Sequence, residues 1–163
     1  MMNITRPNLY DSDYQLWLEN TINQLRRGDF QSVDWQNLLE ELADLGKNNR
    51  RALESLLTRL LEHLLKLTYW QSQRDYNQAA WKGEIRTFRK QIKKLLRDSP
   101  SLKPYLSEIL EECYSDAREI IIDITQLDAS IFPVEVLANL EEILDENWLP
   151  NWEYISNNSE KCN

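Results

Sequence analysis

The chain has three glycines and five prolines in 163 residues. That scarcity excludes a Gly-rich phosphate loop, a collagen-like repeat and long irregular connections. It has one histidine, His63. A two-histidine metal site, or a carboxylate-bridged di-iron bundle with two Glu-x-x-His motifs, therefore cannot be built within one chain. Its two cysteines, Cys113 and Cys162, have no metal-ligand spacing. They read as reduced thiols of a cytoplasmic protein, with Cys113 on an apolar helical stripe and so inert. No apolar run approaches the ~20 residues of a membrane span. The first ten residues lack the apolar centre of a signal peptide. A Gly-x-Ser-x-Gly elbow, a Walker loop and a zinc spacing are all missing.

What remains is a charged, helix-prone chain. Hydrophobic residues make up 42% and charged residues 28%, as in an ordinary globular domain. The net charge of −8 disfavours a protein that coats nucleic acid, because phosphate neutralisation needs basic surface. The length fits one domain, expected over residues 1–152, with a polar tail from 153 to 163.

Apolar spacing is helical almost throughout, which predicts an all-α fold: a bundle of five or six helices around a long central third helix. Asp11, Ser12 and Asp13 open a first helix that ends before Gly28. Asp34 caps a second, with Trp35, Leu38, Leu39, Leu42 and Leu45 on one face, and Gly46 either ends it or is absorbed in a longer helix. The third, from about 48 to 68, carries leucines over half its circumference and so faces several neighbours. A polar connection over 71–76 leads to a fourth helix, about 78–96. After Asp98-Ser99-Pro100-Ser101, with Ser101 as cap, a fifth helix runs past Ile120-Ile121-Ile122. That β-prone run is overruled by the surrounding 3.6-residue period. A sixth helix is expected over about 133–145, with Pro133 at its start.

Several constellations carry possible chemistry. His63 falls at the edge of the leucine arc, where a ring nitrogen could meet Glu40 or Glu41 across a helix pair; a hydrogen-bonded boundary histidine is the plainer reading. Glu41-x-x-Asp44 puts two carboxylates on one helical edge, the raw material of a Mg²⁺ site as in all-helical nucleotide pyrophosphohydrolases. Such an enzyme needs a second acidic pair, for which Glu142 and Asp145, or the ladder Glu112, Asp116, Glu119 and Asp123, are candidates. The fourth helix gathers seven of the 19 basic residues on one face: Lys82, Arg86, Arg89, Lys90, Lys93, Lys94 and Arg97. The expected split leaves the arginines near Trp81, Arg86 and Arg89, structural and paired with the acidic ladder, and the lysines near Leu96 free. Trp17, Trp35 and Trp81 read as core residues. Trp70, Trp148 and Trp152 read equally as wedges between helices or as an exposed contact patch.

The motifs LRRGDFQSVDW (25–35), LLEELADLG (38–46), SLLTRLLEHLLKL (55–67), SPSL (99–102), Tyr114 with Ala117-Arg118, Phe132-Pro133 and LDENWLP (144–150) occur in that order. In this combination the chain resembles the bacterial family, largely cyanobacterial, called domain of unknown function family 29, over about residues 10–150. The resemblance implies an all-helical cytoplasmic protein and no established activity. The family pattern carries over to Asp34, Glu40, Glu41, Gly46, His63, Lys66, Trp81, Arg86, Pro100, Leu102, Tyr114 and Arg118. One departure is Thr68-Tyr69-Trp70-Gln71-Ser72, where the family usually has a proline.

Of these, Glu40, Glu41, His63, Lys66, Arg86, Tyr114 and Arg118 are polar or edge positions, and together they form a candidate functional cluster. The favoured reading is a non-catalytic interaction or accessory protein, with a protein partner or a second copy, no membrane and no cofactor. The alternatives are a Mg²⁺-dependent nucleotide hydrolase using Glu41 and Asp44, and a nucleic-acid-associated protein using the basic fourth helix.

Overall fold

The computed structural model describes residues 8–151. Trp152, Cys162 and the polar tail expected over 153–163 lie outside the described residues. Among the described residues the chain is all α, with no strand. Its helices are α1 (Leu9–Ser12), α2 (Tyr14–Arg27), α3 (Trp35–Tyr69), α4 (Gln71–Asp98), α5 (Lys103–Glu108), α6 (Leu110–Thr125) and α7 (Leu140–Leu144), with 3-10 turns at Pro100–Leu102 and Ala129–Ile131. The all-α bundle and its long third helix are present, with seven α-helices among the described residues where five or six are expected. No helix among them is long and apolar enough to cross a membrane. The chain divides into two compact units, Met1–Asn48 and Asn49–Asn163, with the change falling inside α3 rather than at a linker.

In the first unit Asp13 caps α2, its carboxylate accepting from the Leu16 amide at 3.0 Å. Gly28 ends α2 in the left-handed conformation at φ 74°, where a Cβ would be strained. Asp34 holds the start of α3, accepting from the Asn37 side chain at 2.7 Å and its amide at 3.4 Å. The expected second and third helices are one. An interior glycine costs only ~1 kcal/mol against alanine, and no proline follows to stop the hydrogen-bond ladder at Gly46.

The second unit holds the main core. Leu53, Leu57, Leu60, Leu61, Leu64, Leu65 and Leu67 of α3 are fully buried against Ile85 and Ile92 of α4 and Ala117 and Ile121 of α6. The polar connection expected over 71–76 is helix instead, because α4 begins at once after a break at Trp70. Two residues fix that break. Trp70 stacks on Trp81 at 5.8 Å, and the buried Arg74 guanidinium donates to the Thr68 carbonyl at 2.5 Å. Trp70 is thus a wedge, and Trp148 also packs on the core.

The fifth expected helix is divided at Ile109, and Ser101 lies inside the 3-10 turn rather than capping a helix. The sixth shrinks to Leu140–Leu144, opened by a capping box between Asn139 and Glu142. Residues ahead of it form a run of bends, with the backbone extended and the side chain buried at Phe132.

Candidate functional site

The residues singled out in the sequence serve separate structural tasks. Tyr114 and Arg118, one turn apart on α6, act together on the segment after that helix. The Tyr114 hydroxyl donates to the Pro133 carbonyl at 2.9 Å; Arg118 donates to the Phe132 and Ala129 carbonyls at 3.0 and 2.9 Å. These donors satisfy the Phe132 and Pro133 carbonyls just past the 3-10 turn and add a second donor to the Ala129 carbonyl, which already accepts from the Phe132 amide at 3.2 Å. Burial pushes the Tyr114 hydroxyl up to about 12.

His63 is buried, and its expected partner is corrected. Glu40 and Glu41 cannot meet it across a helix pair, because all three residues belong to α3. Its Nε2 lies 2.5 Å from Glu84 of α4, and its Nδ1 lies 2.7 Å from the Arg59 carbonyl. Both ring nitrogens are engaged, which leaves no free nitrogen to take a proton from a substrate. Phe88 covers the ring at 5.3 Å.

Glu41 belongs to the first unit. Its two oxygens accept from the Tyr10 hydroxyl at 2.6 Å and the Tyr14 hydroxyl at 2.8 Å. These bonds push Tyr10 up to about 12 and raise Tyr14 in the same direction. Asp44, the other half of the expected acidic pair, bridges to Lys47 at 3.0 Å. Among the described residues no three acidic, histidine or cysteine side chains gather as metal ligands. Glu40 and Arg86 are exposed and Lys66 is half-buried. No hydrogen bond or ion pair among the described residues joins any of these three to Glu41 or His63.

The basic face of α4 is also divided, though not as expected. Arg89 is buried and donates to the Ile143 and Trp148 carbonyls at 2.7 and 2.9 Å, so it anchors the C-terminal segment rather than the acidic ladder. Lys93 pairs with Glu146 at 3.2 Å. Arg86, Lys90 and Lys94 are exposed, as are Glu112, Asp116, Glu119 and Asp123, and no ion pair joins the two sets among the described residues. Cys113 is buried beside the Glu54 carbonyl, and burial pushes its thiol up, away from the nucleophilic thiolate.

The feature least expected from the sequence is an uncovered apolar face in the first unit. Tyr10, Tyr14 and Trp17 form an aromatic cluster with centroids 4.9–5.9 Å apart. Trp17 donates to Asp34 at 3.3 Å, and Glu41 receives both tyrosines. These contacts occupy the side of α3 that carries Asp34, Asn37 and Glu41. At ~100° per residue, Trp35, Leu39, Leu42 and Leu45 share an adjoining arc of roughly 120°. Their exposures are 46, 61, 56 and 61%, with Phe30 at 56%. Phe30 adjoins the face, because its carbonyl accepts from the Trp35 indole at 2.9 Å. The sequence announces this stripe, but its period cannot distinguish a face turned inward from one left open.

The family model described as domain of unknown function DUF29 matches residues 9–149, and the chain belongs to that family. No curated protein and no solved structure matches the chain.

Proposed function

We propose that this member of the DUF29 family works by association rather than by chemistry, and that the open face of α3 joins two copies of the chain. The observation that carries the reading is the run Trp35, Leu39, Leu42 and Leu45, each about half exposed or more on successive turns. Contiguous apolar surface of that kind marks an interaction site more often than a bare surface.

A second copy fits the face for two reasons. Gly46 lies on the same arc, and a Cβ there would meet nothing within 4 Å inside the chain. A mid-helix glycine with no neighbour of its own suits the close approach of another helix backbone. Area is the second. Five half-exposed large side chains at on the order of 100 Å² each give ~500 Å² of apolar surface per copy. With the usual polar rim that approaches the ~800 Å² per partner of a stable interface.

The groups that would serve catalysis are already committed. His63 has no free ring nitrogen, Glu41 has both oxygens occupied, and the Cys113 thiol is buried. Sedimentation of the full chain over a concentration series tests the association. A reversible dimer is expected, converted to monomer by Leu42→Glu or Leu45→Glu with the helical circular dichroism retained. A chain that stays monomeric at high micromolar concentration, or a dimer indifferent to both substitutions, would overturn the reading.

A further inference from the structure

A second feature, wholly within the second unit, is independent of that face. The Lys93–Arg97 edge of α4, the start of α5 and one side of α7 line a half-open pocket of about 340 Å³. Its lining is apolar below and cationic above. Leu96, Leu106, Leu140 and Leu144 make the floor, with Leu106 fully buried; Lys93, Arg97 and Lys103 stand around it with one acid, Glu141. We propose that this pocket binds a small anionic amphiphile: a short alkyl chain ending in a carboxylate.

Volume and chemistry together select that class. The space lies at the lower end of the ~300–1,000 Å³ typical of small-molecule sites, which pair an apolar lining with a few placed polar groups. Taking a heavy atom as about the ~30 Å³ share of a water molecule, it admits roughly eleven. That suits one chain of about eight carbons and a carboxylate, and excludes the paired chains of a bilayer lipid.

The rim decides the head group. Of the charged side chains that line the pocket, three are cations and one is an acid. Lys93 shares its charge with Glu146, and among the described residues Arg97 reaches only the flanking Asp98 at 3.9 Å. Lys103 makes no ion pair among the described residues, and all three cations are exposed. The head group can therefore be met by cations that stay partly hydrated, while the chain displaces water from the leucine floor. A neutral ligand would leave the cations unused. A polyanion such as a nucleotide or nucleic acid would leave the floor unused.

Octanoate is the probe, titrated into the full chain by calorimetry and followed by amide and methyl NMR. Saturable binding is expected by about 10 mM, roughly tenfold above a millimolar Kd. Shift changes should centre on Leu96, Leu140 and Leu144. Octanol, with the same chain and no charge, should bind about tenfold more weakly, and octylammonium weaker still. Arg97→Gln and Lys103→Gln, both at exposed positions, should erase the preference for octanoate over octanol while retaining octanol binding and the melting temperature. Failure of octanoate to saturate, equal affinity for octanoate and octanol, or shift changes centred elsewhere would each overturn the proposal.

Discussion

His63 and Glu84 meet at 2.5 Å across α3 and α4, with the imidazole buried and the carboxylate half exposed. The asymmetry separates two contributions. An exposed partner in an ion pair adds ~0–1 kcal/mol, whereas a buried ring packed under Phe88 fills volume and engages two acceptors. His63→Ala should therefore destabilise by about 2–3 kcal/mol in urea denaturation, and Glu84→Gln by under about 1 kcal/mol. The reverse order would make the ion pair, not the packing, the reason for the histidine.

Arg89 anchors the C-terminal segment through two carbonyls, Ile143 and Trp148. Burial lowers its pKa, opposed by the charges of Asp145 and Glu146. Arg89→Ala leaves both carbonyls without their donor and opens space in the core, so a loss of about 3 kcal/mol is expected. Lysine should restore little, because its single ammonium cannot reproduce a two-point fork. Hydrogen exchange should show the loss first at residues 140–149. Uniform loss across α3 and α4 would contradict a local anchor.

Tyr10 offers an alkaline test of the first unit. Its hydroxyl is raised to about 12, chiefly by the hydrogen bond to Glu41. A folded pKa above the unfolded value of ~10 contributes stability that is complete below pH ~10 and is lost as pH rises from there toward 12. Ultraviolet titration should find Tyr10 ionising late. Glu41→Gln should bring Tyr10 and Tyr14 back toward the ordinary value and flatten stability between pH ~10 and 12. Unchanged tyrosine titration in that variant would show that the carboxylate is not the cause.

These residues show what the sequence could and could not reveal. Helical periodicity exposed the all-α class, the buried leucines of α3 and the helical nature of Ile120–Ile122, because each depends on local period and burial. The extent of α3 was less legible, since an interior glycine costs only ~1 kcal/mol and an otherwise uninterrupted hydrogen-bond ladder absorbs it. The expected sixth helix failed for a different reason. Its first half is bent rather than helical, with Tyr114 and Arg118 holding the Ala129, Phe132 and Pro133 carbonyls at its start and Arg89 holding the Ile143 and Trp148 carbonyls at its far end, all partners 11–59 residues away in sequence. The true start of α7 was nonetheless readable in Asn139-x-x-Glu142, a capping-box pattern. The partner of His63 was hidden because the reading placed Glu40 and Glu41 on a separate helix.

The two left-handed helix ends give a matched pair of backbone tests. Gly28 closes α2 at φ 74°, and Gln126 closes α6 at φ 55°. A side chain at such an angle costs roughly 1–2 kcal/mol, because Cβ crowds the following carbonyl. Gln126 recovers part of this through its side-chain amide, which donates to the Asp123 carbonyl at 2.7 Å. Gln126→Gly removes the strain, loses that bond and raises unfolded-chain entropy, so a net gain of about 0.5 kcal/mol is expected. Gly28→Ala imposes the strain with no compensating bond, since a Cβ there meets nothing within 4 Å, and should cost about 1 kcal/mol. Urea midpoints at constant m-value measure both. A loss of stability in Gln126→Gly would mean that the side-chain bond outweighs the strain, and α6 would then be closed by its glutamine rather than despite it.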